Sequence, residues 1–135
     1  MKKLISAIGM FGFAFWLASG AGAAELTVGQ AAPDFTLKDI HGDEHSLSDH
    51  QGQYVVLEWT NHGCPFVVKH YDSNNMQKLQ ETYTDQEVVW LTINSSAPGK
   101  QGHHSPEEWA ELLEAKGSAA SATLLDGDGT VGRLY

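Results

Sequence analysis

Cysteine is almost absent: Cys64 is the only one in 135 residues. That excludes an internal disulfide, an internal resolving thiol and any metal site built on two cysteines. Basic residues are scarce too, with 8 Lys and Arg against 17 Asp and Glu, a formal net charge of -9. So acidic a surface repels nucleic acid and anionic lipid, and it names no partner. No repeat or low-complexity tract breaks the chain, and no apolar run reaches the ~20 residues that a membrane-spanning helix needs. The length suits one domain, and the apolar fraction of 41% suffices for a packed core.

The first residues differ from the rest. Lys2 and Lys3 precede an almost wholly apolar stretch from Leu4 to Leu17, which ends in small residues at Ala21, Gly22 and Ala23. A basic start, an apolar centre and a small-residue exit predict a secretory signal peptide over residues 1–23, followed by one domain over 24–135. The rival reading is a permanent membrane anchor, and the short apolar stretch favours cleavage over stable insertion. The expected location is periplasmic or secreted. Cleavage removes two of the eight basic residues and leaves a net charge of -11. A lone thiol in an oxidising compartment is either buried and inert or exposed and used.

Phe35 to Asp39 and Glu44 to Leu47 flank His41-Gly42-Asp43 and predict a hairpin. Tyr54 to Trp59 (YVVLEW) is β-rich and suits a central strand buried on both faces. Pro65 opens a helical stretch that breaks or restarts at Asp72 to Asn75, after which Met76, Leu79 and Tyr83 continue an apolar stripe. Val88 to Ile93 predicts a second buried strand. Ser105-Pro106-Glu107-Glu108 predicts a capped helix that Gly117 stops. Ala122 to Leu125 predicts a third strand, followed by a turn at Asp126 to Gly129 and the start of another element. This order implies an α/β sheet with parallel core strands, whose sites form in the loops after the strands' carboxyl ends.

Cys64 lies in such a loop, between Trp59 and the helix opening at Pro65. Unpaired N–H groups and the helix dipole both favour a thiolate there, the form that attacks disulfides and peroxides. Lys69 and His70 add positive charge further along the helix, and Glu58 is a nearby acid that either relays protons or faces solvent. The rival reading is a buried structural cysteine.

Gly29-x-x-Ala32-Pro33-Asp34-Phe35-x-Leu37, then YVVLEW, then Gly63-Cys64-Pro65-Phe66, resembles the alkyl hydroperoxide reductase/thiol-specific antioxidant (redoxin) family of the thioredoxin superfamily. Leu124-Leu125-Asp126-Gly127-Asp128-Gly129-Thr130 fits the stretch that precedes the cis-proline region in such proteins. The resemblance implies a partial thioredoxin-like α/β fold over Leu26 to Tyr135, with the cis-proline segment, final strands and last helix falling after Tyr135. It also implies a thiol oxidoreductase acting on a peroxide or a disulfide, with Cys64 as the catalytic thiol and Glu58, Thr60, Asn61 and Lys69 supporting it. No cofactor is implied.

Two departures narrow this expectation. Val67 stands where a C-x-x-C reductase has its second cysteine, so Cys64 needs an external thiol reductant, either a small thiol or a thioredoxin-like protein. Asn61 stands three before Cys64, where a peroxiredoxin's P-x-x-x-T-x-x-C motif places threonine, and Thr60 is one residue off register. The alternative is a non-catalytic thioredoxin-fold binding domain, with copper held by His62, Cys64 and His70. His103-His104 reads as a solvated loop. Asp126 and Asp128 read as a turn, since the other ligands of a calcium loop are missing.

Overall fold

The computed structural model describes residues 26–135, and the proposed leader over 1–23 lies outside them. The first hairpin pairs β1 (Thr36–Asp39) with β2 (Glu44–Ser46) antiparallel. Its turn closes on Asp39, whose carboxyl accepts the N–H groups of His41 and Asp43 at 2.8 and 3.0 Å. A short 3-10 turn over Leu47–His50, which the sequence did not announce, leads into β3 (Val55–Trp59). Then come α1 (Pro65–Asp72), α2 (Asn75–Thr84), β4 (Val89–Asn94), α3 (Pro106–Lys116) and β5 (Ala122–Leu125).

The five strands form one sheet in the order β2-β1-β5-β4-β3. The β3, β4 and β5 strands are mutually parallel, as expected, and the hairpin joins antiparallel through β1 and β5. One expectation is corrected. Among the described residues β3 is an edge strand paired only to β4; its first four residues are half-buried and Trp59 is exposed, so it is not covered on both faces. The strand with neighbours on both sides and the deepest burial is β4, where Leu91 and Ile93 are almost fully inaccessible.

Alternation along β4 separates two layers. Leu91 and Ile93 face a core with Phe35, Leu124 and Val131. Trp90 and Thr92 point the other way, and Trp90 meets residues of β3, α1 and α2 through a polar network described below. The break between α1 and α2 falls at Asn74, which takes a left-handed conformation with φ 56°. Helix α3 starts as expected: Glu108 N–H donates to the Ser105 hydroxyl and the Glu108 carboxylate accepts from Ser105 N–H, while Gly117 ends the helix at φ 62°.

The Asp126–Gly129 segment is the turn that was expected. Asp126 is buried and accepts from the N–H groups of Val131 and Gly132 and from the Ser95 hydroxyl. Asp128 accepts from Thr130 N–H. Beyond it the chain runs in turns to Tyr135, whose ring packs against Phe35 and Trp59 and whose hydroxyl donates to the Pro33 carbonyl.

Candidate active site

The loop from Thr60 to Cys64 follows the carboxyl end of β3 and delivers Cys64 to the N-cap of α1. Cys64 has extended backbone angles, Pro65 occupies the first helical turn, and Val68 N–H bonds back to the Cys64 carbonyl at 2.9 Å. The Cys64 side chain makes no capping hydrogen bond, and the thiol is free and partly accessible. The sulfur therefore stands at the positive end of the helix with no internal partner. Phe66 is 78% exposed and Trp59 is 37% exposed, and with Val67 and Met76 they line a shallow, mostly apolar hollow along α1.

The loop is tied down from both sides. Thr60 N–H donates to the Ile93 carbonyl, and the Asn94 side chain donates to the Thr60 carbonyl, both at 2.9 Å. The Thr60 hydroxyl is buried near Tyr71 without a well-formed hydrogen bond. Asn61 accepts from Gly63 N–H at 2.8 Å through its side-chain oxygen and donates to the Gln101 carbonyl at 3.2 Å. The Gln101 side chain in turn donates to the Gly63 carbonyl at 2.8 Å.

Glu58 is turned inward rather than into solvent. Its carboxyl accepts from the Tyr71 hydroxyl at 3.0 Å, the Trp90 indole N–H at 2.8 Å and the Gln80 amide at 3.1 Å. Gln80 is fully buried, and it also donates to the Tyr71 oxygen at 2.9 Å and accepts from Ala119 N–H. Burial first, then the Glu58 charge, pushes the Tyr71 phenol far above its ordinary pKa, so it stays protonated as a donor.

His62 wedges edge-on between Tyr71 of α1 and Trp109 of α3, with ring centroids 4.5 and 5.7 Å away. Neither ring nitrogen has a hydrogen-bond partner. Burial first, then the positive charges of Lys116 and His104, lowers its pKa to about 4, so the ring is neutral near pH 7. Lys69 lies exposed in the last turn of α1, at the far end of the helix from Cys64. His70 is exposed and meets Asn75. The structure thus gathers Thr60, Asn61, His62 and Cys64 in one loop above Glu58 and leaves Lys69 and His70 on the helix exterior. Among the described residues no three His, Cys, Asp or Glu side chains are grouped to hold a metal ion.

Tyr71, Gln80, Gln101 and Gly102 did not emerge from the sequence, and Trp109 emerged only as part of the apolar face of α3. Tyr71 left a trace, seven residues after Cys64 on the same helix. The others join the site only through tertiary closure.

Residues 28–135 match the family model described as AhpC/TSA. The chain belongs to the AhpC/TSA family. The family resemblance drawn from the Ala-Pro-Asp-Phe and Gly-Cys-Pro-Phe segments is thereby borne out. A relative in this comparison, the thiol-disulfide oxidoreductase ResA of Geobacillus kaustophilus (strain HTA426), is 36% identical over 73 residues, covering 54% of this chain and 41% of its own. Peroxiredoxin Bcp of Bacillus subtilis (strain 168) is 28% identical over 86 residues, covering 57% and 48%. The thioredoxin domain of a thiol-disulfide oxidoreductase from Bacteroides vulgatus superposes with a TM-score of 0.59 at 22% identity, covering 81% of this chain and 71% of that one. That likeness shows the thioredoxin-like α/β fold. The chain spans about half the length of the curated relatives it matches.

Proposed function

We propose that this AhpC/TSA-family chain is an exported thiol-disulfide oxidoreductase working through one cysteine. The observation that carries the reading is the Cys64 thiol at the N-cap of α1, partly accessible and without an internal partner. Its thiolate attacks one sulfur of a substrate disulfide. A Cys64–substrate disulfide forms, the substrate S–S bond breaks, and its electron pair leaves on the other sulfur as a thiolate. An external thiolate then attacks the substrate sulfur of the mixed disulfide and releases Cys64 as thiolate. No second cysteine stands within these 135 residues, so in this reading a thiol outside them serves as the resolving group.

Disulfide is favoured over peroxide by the posture of Asn61. At the position three before Cys64, its side chain bonds Gly63 and Gln101 rather than facing a substrate oxygen. Export rests on the composition of residues 1–23.

The experiment is thiol exchange with oxidised glutathione, followed by mass spectrometry. The full chain forms one Cys64 adduct faster than free cysteine does at the same pH, dithiothreitol reverses it, and Cys64→Ser abolishes it. Hydrogen peroxide oxidises Cys64 no faster than free cysteine. A folded chain whose thiol ignores the disulfide sinks the proposal, and rapid reaction with peroxide reassigns the substrate.

A further inference from the structure

Gly63, in the Cys64 loop, and Gly102, in the loop that packs on it, both leave room for the side chains of one contact. A Cβ on Gly102 would lie 2.2 Å from the Asn61 side-chain oxygen and 2.3 Å from its Cγ, and Gly102 takes φ 81°. A Cβ on Gly63 would lie 2.8 Å from Gln101 Cγ. Without those methyl groups the two loops interlock. Asn61 reaches over the 101–102 backbone to the Gln101 carbonyl, and Gln101 reaches back to the Gly63 carbonyl. Both backbone polar groups of Gly63, the residue before Cys64, are held by side chains, one of them from 38 positions away. Gly102 is buried in the contact.

We infer that Asn61 and Gln101 form a reciprocal clasp, seated on Gly63 and Gly102, that positions the Cys64 sulfur for in-line attack on a disulfide. Both side chains bond the loop backbone, so both act as positioning residues through it. The inference rests on Cys64 being the exchanging thiol. Attack on a disulfide needs the entering sulfur aligned with the bond that breaks, so a fixed loop raises the rate by orientation. A small alkylating reagent has no such demand. The clasp therefore governs exchange far more than it governs simple access.

The test uses the full chain and its Asn61→Ala, Gln101→Met, Gly102→Ala and Asn61→Ala/Gly102→Ala variants, each checked for native circular dichroism. Exchange with oxidised glutathione is measured on the high-pH plateau, where every variant's thiol is ionised, alongside alkylation by iodoacetamide. Gln101→Met keeps the bulk of the side chain and loses only its hydrogen bond, which makes it the variant surest to fold. Asn61→Ala and Gln101→Met each lower the exchange plateau about tenfold, with alkylation within about twofold of wild type. Gly102→Ala is deleterious in both backgrounds, because φ 81° strains any side chain there, and Asn61→Ala relieves only the added clash with its own side chain. Equal exchange plateaus in wild type and folded Gln101→Met overturn the clasp and leave Cys64 chemistry intact. Faster alkylation together with unchanged exchange also overturns it, since that pattern marks a merely structural tie. A wild-type thiol that does not exchange at all overturns the functional reading beneath it.

Discussion

Glu58 sits six residues before Cys64 and accepts three hydrogen bonds from three different elements. A half-buried carboxyl is costly without such partners. Tyr71 contributes twice, donating to Glu58 and accepting from Gln80. Tyr71→Phe keeps the ring against His62 and removes only the hydroxyl, so one donor of Glu58 and one acceptor of Gln80 are lost. The chain should lose about 1–3 kcal/mol in urea denaturation, and His62→Phe should not share that loss, since it touches neither hydrogen bond. The sequence named Glu58 but left its orientation open. Its partners Gln80 and Trp90 are 22 and 32 positions away, and no local spacing joins them.

At the scale of elements, what was legible followed from local chemistry. Helix α3 was readable at both ends because serine, proline and glutamate act on their own turn, and glycine takes the left-handed exit without strain. Ser105→Ala should cost about 1 kcal/mol, read as a lower denaturation midpoint with unchanged slope. The break between α1 and α2 was readable from Asp72-Ser73-Asn74-Asn75 for the same reason, since asparagine accepts positive φ. The place of β3 was not readable. A hydrophobic run reports that side chains avoid water, and says nothing of how many strands lie beside it. Gln101 and Gly102 were invisible because a polar loop carries no periodicity.

At the scale of the whole molecule, His62 is where the Cys64 loop meets both α1 and α3. Its charged form has to be accommodated between two aromatic rings, with Lys116 and His104 adding repulsion and Asp72 opposing it. In the unfolded chain the imidazole binds a proton near pH 6.5, and in the fold only near pH 4. Between those values the unfolded state holds more protons, so stability falls as pH drops from about 6.5 to about 4 and is fully present above that window. Urea midpoints measured across that range should show the decline, and His62→Phe should flatten it.

The reach of the clasp also sets an order of events. Its two hydrogen bonds join residues 40 and 38 apart, so neither forms until β3 and β4 have paired and drawn their following loops together. Until then Cys64 is a thiol on an incompletely folded chain, not yet aligned for exchange with a chosen disulfide. In the oxidising compartment that the proposed export implies, it is open to capture by any neighbouring sulfur. If the proposed export holds, mutations that slow the pairing of these two strands should raise the yield of Cys64-linked dimers, read as a dithiothreitol-sensitive band on a non-reducing gel.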